Sequence, residues 1–129
     1  MKRIIGIICI SLFLFGICLS EELLVSSSLN QVTKDSEYLY NLANQGDSVN
    51  STEIITKTKS LKEYWAKREH LLCFFINYKD MSEMSNEITR MLSYAQENIK
   101  EEYIASLSLV LYYCETFDHI TGFNFQNIF

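Results

Sequence analysis

The sequence lacks the residues from which many catalytic loops are built. Its 129 residues include no Pro, only four Gly and only two His. The patterns HExxH and GxSxG are absent, and four Gly are too few to build a glycine-rich phosphate loop. We therefore expect a protein that is not an enzyme. The same scarcity of helix-breaking residues favours long helices.

The two histidines do not predict a metal site. His119 follows Glu115 by four residues, so the two side chains would share one face of a helix. A site needs at least one more ligand, and the Glu-x-x-His motif of di-iron bundles does not occur. We expect no catalytic, cofactor-binding or metal-binding residue, and we interpret His119 as an ion-pair or helix-end residue.

The four cysteines form two pairs along the chain. Cys9 and Cys18 lie in an apolar N-terminal segment, whereas Cys73 and Cys114 lie among apolar residues further along. No pair has the spacing of a metal site or of a CxxC motif. An external location would permit a disulfide between Cys73 and Cys114. The alternative is two buried thiols that act as small apolar side chains.

Positive charge is scarce after the first residues. Beyond Ser20 the chain carries sixteen acidic residues against nine Lys and Arg, a net charge of −7. Nucleic acids and anionic lipid headgroups both favour clustered cations. We expect no nucleic-acid partner.

The N-terminus has the pattern of a membrane-targeting segment. Lys2 and Arg3 precede the apolar run IIGIICISLFLFGICL at residues 4–19, and Ser20, Glu21 and Glu22 follow it. Residues 1–20 are therefore a membrane anchor or a signal peptide, and residues 21–129 an extracytoplasmic helical bundle. We expect a single-pass protein of the cell membrane with its C-terminal domain outside. The alternative is cleavage after Ser20 and secretion.

Apolar residues after this segment recur at alternating steps of four and three, as in amphipathic helices. We call the set of positions on one such helix face a seam. The seam of the first helix consists of Val25, Leu29, Val32, Ser36, Leu39 and Ala43. The central stretch, residues 50–96, has the seam Ile54, Thr58, Leu61, Trp65, Arg68, Leu72, Phe75 and Lys79. The seam then shifts to Phe74, Tyr78, Met81, Ile88, Met91 and Ala95, with Met84 beside it. The last helix has the seam Tyr103, Leu107, Val110, Cys114 and Phe117.

The change of seam near residues 77–80 leaves two possibilities for the central stretch. Either one long helix continues with a rotated face, or two antiparallel helices meet there, with Asp80 or Ser82 as the new cap. We favour two helices. The predicted fold is all-α, with an N-terminal transmembrane or signal helix followed by an antiparallel bundle of three or four helices.

Residues that suit helix ends predict the other boundaries. Gly46 fits a left-handed C-terminal cap. Asn50 with Glu53, and Asn98 with Glu101, have the spacing of a capping box. We expect the last helix to end near Thr121 and the aromatic tail FNFQNIF to fold back over the end of the bundle.

The stretch from Trp65 to the C-terminus resembles a family of small membrane-anchored bacterial proteins known as domain of unknown function 4363. The residues that carry the resemblance are Trp65, INYKDMSEM at residues 76–84, Arg90, Met91, Tyr94, Glu115 and NFQNIF at residues 124–129. Tyr78 and Thr116 stand where the family usually has His, so no role of those His is expected here. The resemblance implies an anchored helical domain that works beside a multipass membrane protein.

Two functions are compatible with these patterns. The first is a non-enzymatic accessory or scaffold protein, held in the membrane by residues 4–19, that binds a membrane-protein partner or a second copy of itself. The second is an extracytoplasmic module that binds or senses a small apolar ligand between helices near Trp65, Phe75 and Tyr113. A cavity near Trp65 would favour the second function, and a tight core with an exposed apolar stripe would favour the first.

Overall fold

The chain folds into four helices joined by short connections. In a computed structural model these are α1 (Lys2–Gln45), α2 (Thr52–Leu72), α3 (Tyr78–Glu97) and α4 (Lys100–Gln126). The structure describes the backbone of residues 1–126 and the side chains of residues 1–21 and 23–119. This backbone contains no strand. Helices α1 and α3 each contact both α2 and α4, and successive helices are antiparallel, which confirms an all-α fold with a four-helix bundle.

Helix α1 joins the apolar segment to the bundle without a break. Its 44 residues extend over about 66 Å. Every described side chain before residue 21 is exposed, and the first buried one is Val25. From Val25 onward the predicted seam is buried throughout. The apolar part of α1 is long and apolar enough to cross a membrane, a property that signal sequences share.

The bundle core contains residues from all four helices. The predicted seam of α4 is entirely buried, and in α2 the seam is buried from Ile54 to Trp65 and again at Leu72. Arg68 and Phe75 are only half-buried, and Lys79 is exposed. Three methionines of α3 fill the centre together with the largest buried side chains, which are Trp65, Tyr103 and Phe117.

The central stretch is two helices, as favoured above. Helix α2 ends at Leu72 and α3 begins at Tyr78. The predicted caps were wrong, because Asn77 caps α3: its side-chain oxygen accepts a hydrogen bond from the backbone N–H of Lys79 at 2.8 Å. Asp80 lies instead in the first turn of α3, where a negative charge suits the helix dipole.

At the α1–α2 connection, α1 ends just before Gly46 as predicted, but the conformation of Gly46 and the cap of α2 differ from the prediction. Gly46 is extended (φ −105°, ψ 161°) and does not form a left-handed cap. Ser51 caps α2, with its hydroxyl accepting from the backbone N–H of Ile54 at 3.3 Å, so Asn50 is not the cap. Spacing in the sequence alone does not show which of the adjacent polar residues, Asn50 or Ser51, caps α2.

Asn98 ends α3 and does not begin α4. Its backbone is left-handed (φ 58°, ψ 43°), a conformation that Asn tolerates better than most residues. The Asn98 side chain accepts a hydrogen bond from the backbone N–H of Val49 at 2.9 Å, so it is not available to cap α4. Lys100 donates to the carbonyl of Gly46 at 2.7 Å. These two bonds hold the α3–α4 connection against the α1–α2 connection.

Helix α4 is longer than predicted. It continues past Thr121 to Gln126, so the expected end near Thr121 was wrong. The side chains after His119 and the last three residues lie outside the described part of the chain, and the packing of the tail stays a prediction.

Substitution of Trp65 tests the core. Trp65 is 2% exposed and its indole N–H donates to Ser85 at 2.8 Å. We expect Trp65→Ala to lower the free energy of unfolding by ~3–5 kcal/mol, because the cavity it leaves can close only in part. Trp65→Phe keeps most of the apolar volume and should cost clearly less. The measurement is guanidinium unfolding of the full chain in detergent micelles, followed by circular dichroism. An alanine cost below about 1 kcal/mol would contradict this placement.

Candidate functional site

The two histidines lie on different helices, and Glu115 shares a face of α4 with His119. His70 is exposed in the last turn of α2, and Glu115 and His119 are exposed on α4. Among the described side chains, no three His, Cys, Asp or Glu residues lie close enough to hold one metal ion.

All four cysteines carry free thiols. Cys114 is buried, and burial is the main cause that raises its pKa to about 11, partly offset by a hydrogen bond with Thr33. Cys73 is half-buried. Of the two possibilities left open by the sequence, the structure has unpaired thiols. The high pKa leaves the Cys114 thiol protonated and poorly nucleophilic at neutral pH.

A polar network crosses from α2 to α3 beside Trp65. The hydroxyl of Ser85 accepts the indole N–H of Trp65 and lies 3.0 Å from a carboxylate oxygen of Glu69 and 2.9 Å from the carbonyl of Met81. One hydroxyl proton cannot satisfy both acceptors fully, so they share it. The network fixes the orientation of the indole ring.

A second polar pair is buried between α2 and α4. The hydroxyls of Thr58 and Tyr103 lie 2.9 Å apart, and Thr58 also donates to the carbonyl of Ile54 at 2.7 Å. The Thr58 proton is thus used within its own helix, and Tyr103 donates to Thr58. Burial is the main cause that raises the pKa of Tyr103 to about 12.

Tyr113 connects α4 to α3 nearer the surface. Its hydroxyl donates to Glu83 at 2.8 Å, and its ring stacks on Phe117 with centroids 5.9 Å apart. The bond to the Glu83 carboxylate is the main cause that raises the pKa of Tyr113 to about 12. Tyr113 is therefore a neutral donor at physiological pH whose partner belongs to the protein itself.

Tyr38 plays a similar part between α1 and α2. Its hydroxyl donates to Glu53 at 2.7 Å, and the ammonium group of Lys57 lies 4.5 Å from the ring centroid. The bond to Glu53 raises the pKa of Tyr38. Tyr38 therefore has partners inside the chain, although its ring remains partly exposed.

Neither of two cavities bounded by described residues coincides with the predicted ligand site. One, of about 360 Å³, is a groove between Thr33 and Glu37 of α1 and Cys114 and Asp118 of α4. The other, of about 530 Å³, lies along the apolar part of α1 between Leu12 and Leu24. Trp65, Phe75 and Tyr113 line neither of them. Trp65 itself is buried in the core.

Exposed apolar surface is concentrated at one end of the bundle. Beyond residue 20, the three most exposed large apolar side chains among those described are Phe74 (82%), Tyr78 (73%) and Leu23 (70%). Phe74 and Tyr78 had been predicted on the buried face of α3. They are exposed because the turn of residues 73–77 ends one helix and starts the next at the edge of the core. Tyr112 and Leu109 form a smaller exposed pair on α4.

Several residues of these arrangements had no signal in the sequence. Ser85, Glu69 and Glu83 lie beside the apolar seams at positions that are usually solvated, and only the partner helix determines which of them form bonds. Ser28 and Ser36 are buried in α1 with hydroxyls that have no hydrogen-bond partner. The position of Ser36 in the first seam predicted its burial but not its lack of a partner.

The Tyr103 phenol gives a test at alkaline pH. At pH 7 we expect Tyr103→Phe to cost about 1 kcal/mol, the usual net value of a hydrogen bond. Above pH 10 the unfolded phenol ionises while the folded phenol, with a pKa of about 12, stays protonated. The contribution of the protonated Tyr103 phenol to the free energy of unfolding is complete below pH 10. It is lost between pH 10 and 12, at about 1.4 kcal/mol per pH unit.

The Tyr103→Phe variant has no ionisable phenol at this position, so its free energy of unfolding should equal that of the native chain near pH 11, to within about half a pH unit. Above that pH the variant should be the more stable of the two chains. Denaturant unfolding of both chains across this range, followed by Trp65 fluorescence, measures the difference. A difference that stays constant with pH would contradict burial of the phenol.

Comparison with known proteins agrees with the resemblance and extends it. No curated protein and no solved structure matches the chain. The model of one protein family, described as a domain of unknown function (DUF4363), matches residues 23–128. The match therefore includes the bundle part of α1, which the resemblance from Trp65 onward did not cover, and begins just after the apolar segment. The chain belongs to the DUF4363 family.

Proposed function

We propose that this protein is a non-enzymatic accessory or scaffold protein of the cell membrane. Residues 4–19 stay in the bilayer, and the bundle of residues 21–129 lies on the outer side and binds a membrane-protein partner or a second copy of itself. The observation that carries the proposal is the continuity of α1: its first twenty residues are exposed and largely apolar, and the same helix then supplies one quarter of the bundle.

Retention of the apolar segment is supported by the local structure at Ser20. Proteases bind their substrates in extended form, whereas here Ser20 lies inside a helix and its hydroxyl donates to the carbonyl of Gly16 at 2.9 Å. Leu23 and Leu24 continue the apolar surface beyond the predicted cleavage position. Cleavage would require the helix to unwind on both sides of Ser20.

The orientation follows from the charges at the two ends of the apolar run. Lys2 and Arg3 precede it, and Glu21 and Glu22 follow it. Cationic residues flanking a membrane segment remain on the cytoplasmic side. The bundle would therefore be outside.

A binding role at the surface is supported by a difference between two groups of side chains. The polar groups of three aromatic side chains are hydrogen-bonded within the bundle, whereas apolar side chains are exposed on α4. The polar hydrogens of Trp65, Tyr103 and Tyr113 are already donated to partners in the chain. Leu109 and Tyr112, spaced by three residues on α4, are exposed side by side. Apolar residues of this kind, with Tyr among them, are typical of the centre of protein interfaces.

The alternative, a ligand-sensing module, has less support. It places an apolar ligand near Trp65, Phe75 and Tyr113, which line neither of the two cavities described above. A ligand bound there would have to break the hydrogen bond between Trp65 and Ser85. The free-energy cost of breaking this bond would weaken the binding of the ligand.

The test is purification of the C-terminally tagged chain from carbonate-washed membranes of cells that produce it, after mild cross-linking. Mass spectrometry would determine the intact mass and the proteins recovered with it. We expect the mass of the full chain, 15.1 kDa, plus that of the tag, together with a stoichiometric integral membrane protein or a second copy.

Leu109→Ser combined with Tyr112→Ser should remove the partner, because it replaces the exposed apolar pair with polar groups. The matched control is Tyr40→Ser, which changes an exposed aromatic residue on α1 and should keep the partner. Recovery of a chain that lacks residues 1–20 from the medium would contradict the anchor. Recovery of the uncombined full chain with no associate would contradict the scaffold role.

A further inference from the structure

The two ends of the bundle differ in what they expose. The α1–α2 connection has exposed Asp47, Ser48 and Asn50. The opposite end has the turn of residues 73–77 between α2 and α3, with Phe74 82% exposed and Leu71 and Tyr78 beside it. Exposed aromatic surface of this kind costs free energy in water unless something covers it.

Helix lengths place this apolar end next to the apolar segment. Helix α2 has 21 residues, and the last 21 residues of α1 run from Val25 to Gln45. Because the two helices are antiparallel and rise equally per residue, Leu72 lies level with Val25. Val25 is also the first buried residue of α1, which agrees with this register. The turn after Leu72 therefore lies about 9 Å along the axis from Leu19, the last residue of the apolar run.

That distance corresponds to the polar layer of a bilayer. The headgroup region on each side of the hydrocarbon is roughly 5–8 Å thick, and transmembrane helices tilt by about 20° on average. If α1 is anchored as proposed above, the turn lies at the outer edge of this layer, and a tilt of α1 towards α2 brings it inside. Phe and Tyr are residues that this zone accommodates well.

The turn is fixed rather than loose. The backbone N–H groups of Phe75 and Ile76 both donate to the carbonyl of Leu72 at 2.9 Å, and Asn77 caps the following helix. Leu72 and Ile76 are buried and hold the inner side of the turn in the core. Phe74, between them, is therefore held on the outer side without further loss of conformational freedom when it meets a lipid surface.

The charges near the turn do not favour one type of lipid. Lys79 and His70 are exposed near Asp80 and Glu83, and Glu83 already accepts the Tyr113 hydroxyl. A contact driven by apolar burial has to occur on zwitterionic and anionic bilayers alike, whereas one driven by charge requires anionic lipid.

We propose that the α2–α3 turn is a second membrane contact, in which Phe74, with Leu71 and Tyr78 beside it, inserts into the headgroup layer of the bilayer that holds α1. The proposal rests on the anchor proposed above. With two contacts, the bundle stands at a fixed tilt and rotation on the membrane, so the face of α4 that carries Leu109 and Tyr112 is presented in one direction.

The test uses three full-length chains with a single Trp, each made in the Trp65→Phe background by replacing another aromatic residue. Phe74→Trp reports the turn, Tyr112→Trp reports an exposed site on the side of the bundle, and Phe13→Trp reports the apolar segment. Each chain is reconstituted into vesicles of phosphatidylcholine brominated at shallow or deep acyl positions, with and without phosphatidylglycerol. Circular dichroism confirms that all three are folded.

We expect Phe74→Trp to lose severalfold more emission than Tyr112→Trp, with shallow bromine more effective than deep bromine, in both lipid mixtures. Phe13→Trp should be quenched most by deep bromine. In one contrary outcome, Trp emission is strongly quenched at residue 13 but is quenched no more at residue 74 than at residue 112. That outcome would overturn the second contact and leave the anchor intact. No quenching at residue 13 would overturn the anchor itself.

Quenching at residue 74 that requires phosphatidylglycerol would also overturn the proposal, because it would indicate adsorption by charge. Shielding of residue 74 from both bromine and aqueous iodide would overturn it too, because a second copy would then cover the turn. Hydrogen exchange in native-Trp65 chains gives an independent measurement. Phe74→Ser should abolish the bilayer-induced protection of residues 73–78, and Tyr112→Ser should not.

Discussion

The backbone hydrogen bonds of α1 hold the apolar segment and the bundle on one axis. A helix of 44 residues with no Pro and no break near Ser20 couples the two parts mechanically. Any tilt of the apolar part is therefore passed to the bundle, because α2 and α4 pack on α1 and α3 packs on both of them. The position of every surface feature relative to a membrane depends on this one element.

The interior of the bundle explains why function is better sought at its surface. Trp65, Tyr103 and Tyr113 each donate to a partner on another helix, and these bonds fix how the aromatic side chains pack. The high pKa values of Tyr103 and Tyr113 come from burial in one case and from a neighbouring carboxylate in the other. Both keep the phenols neutral, which suits structural donors.

The sequence predicted the fold class, all four helical segments and most of the core, because period and burial are directly linked in a helix. The sequence did not predict helix boundaries that depend on the conformation of one or a few residues. Asn98 was assigned to the start of α4, yet its backbone is left-handed and its side chain is bonded to Val49 across the connection. Phe74 was assigned to a buried face, yet a turn intervenes. Contacts distant in sequence determine both outcomes, and periodicity carries no information about them. The Ser85 bonds were missed for the same reason.

The most direct measurement of a continuous α1 is the distance between spin labels on either side of the junction. Labels at native Cys9 and at Lys34→Cys, with the other three cysteines replaced by Ala, would be measured by double electron–electron resonance in lipid nanodiscs. Twenty-five residues of unbroken helix place the labelled backbone positions about 38 Å apart, with a narrow distribution. A broad distribution, or a clearly shorter distance, would show a break between the apolar segment and the bundle and would contradict the mechanical coupling on which the proposed membrane contacts depend.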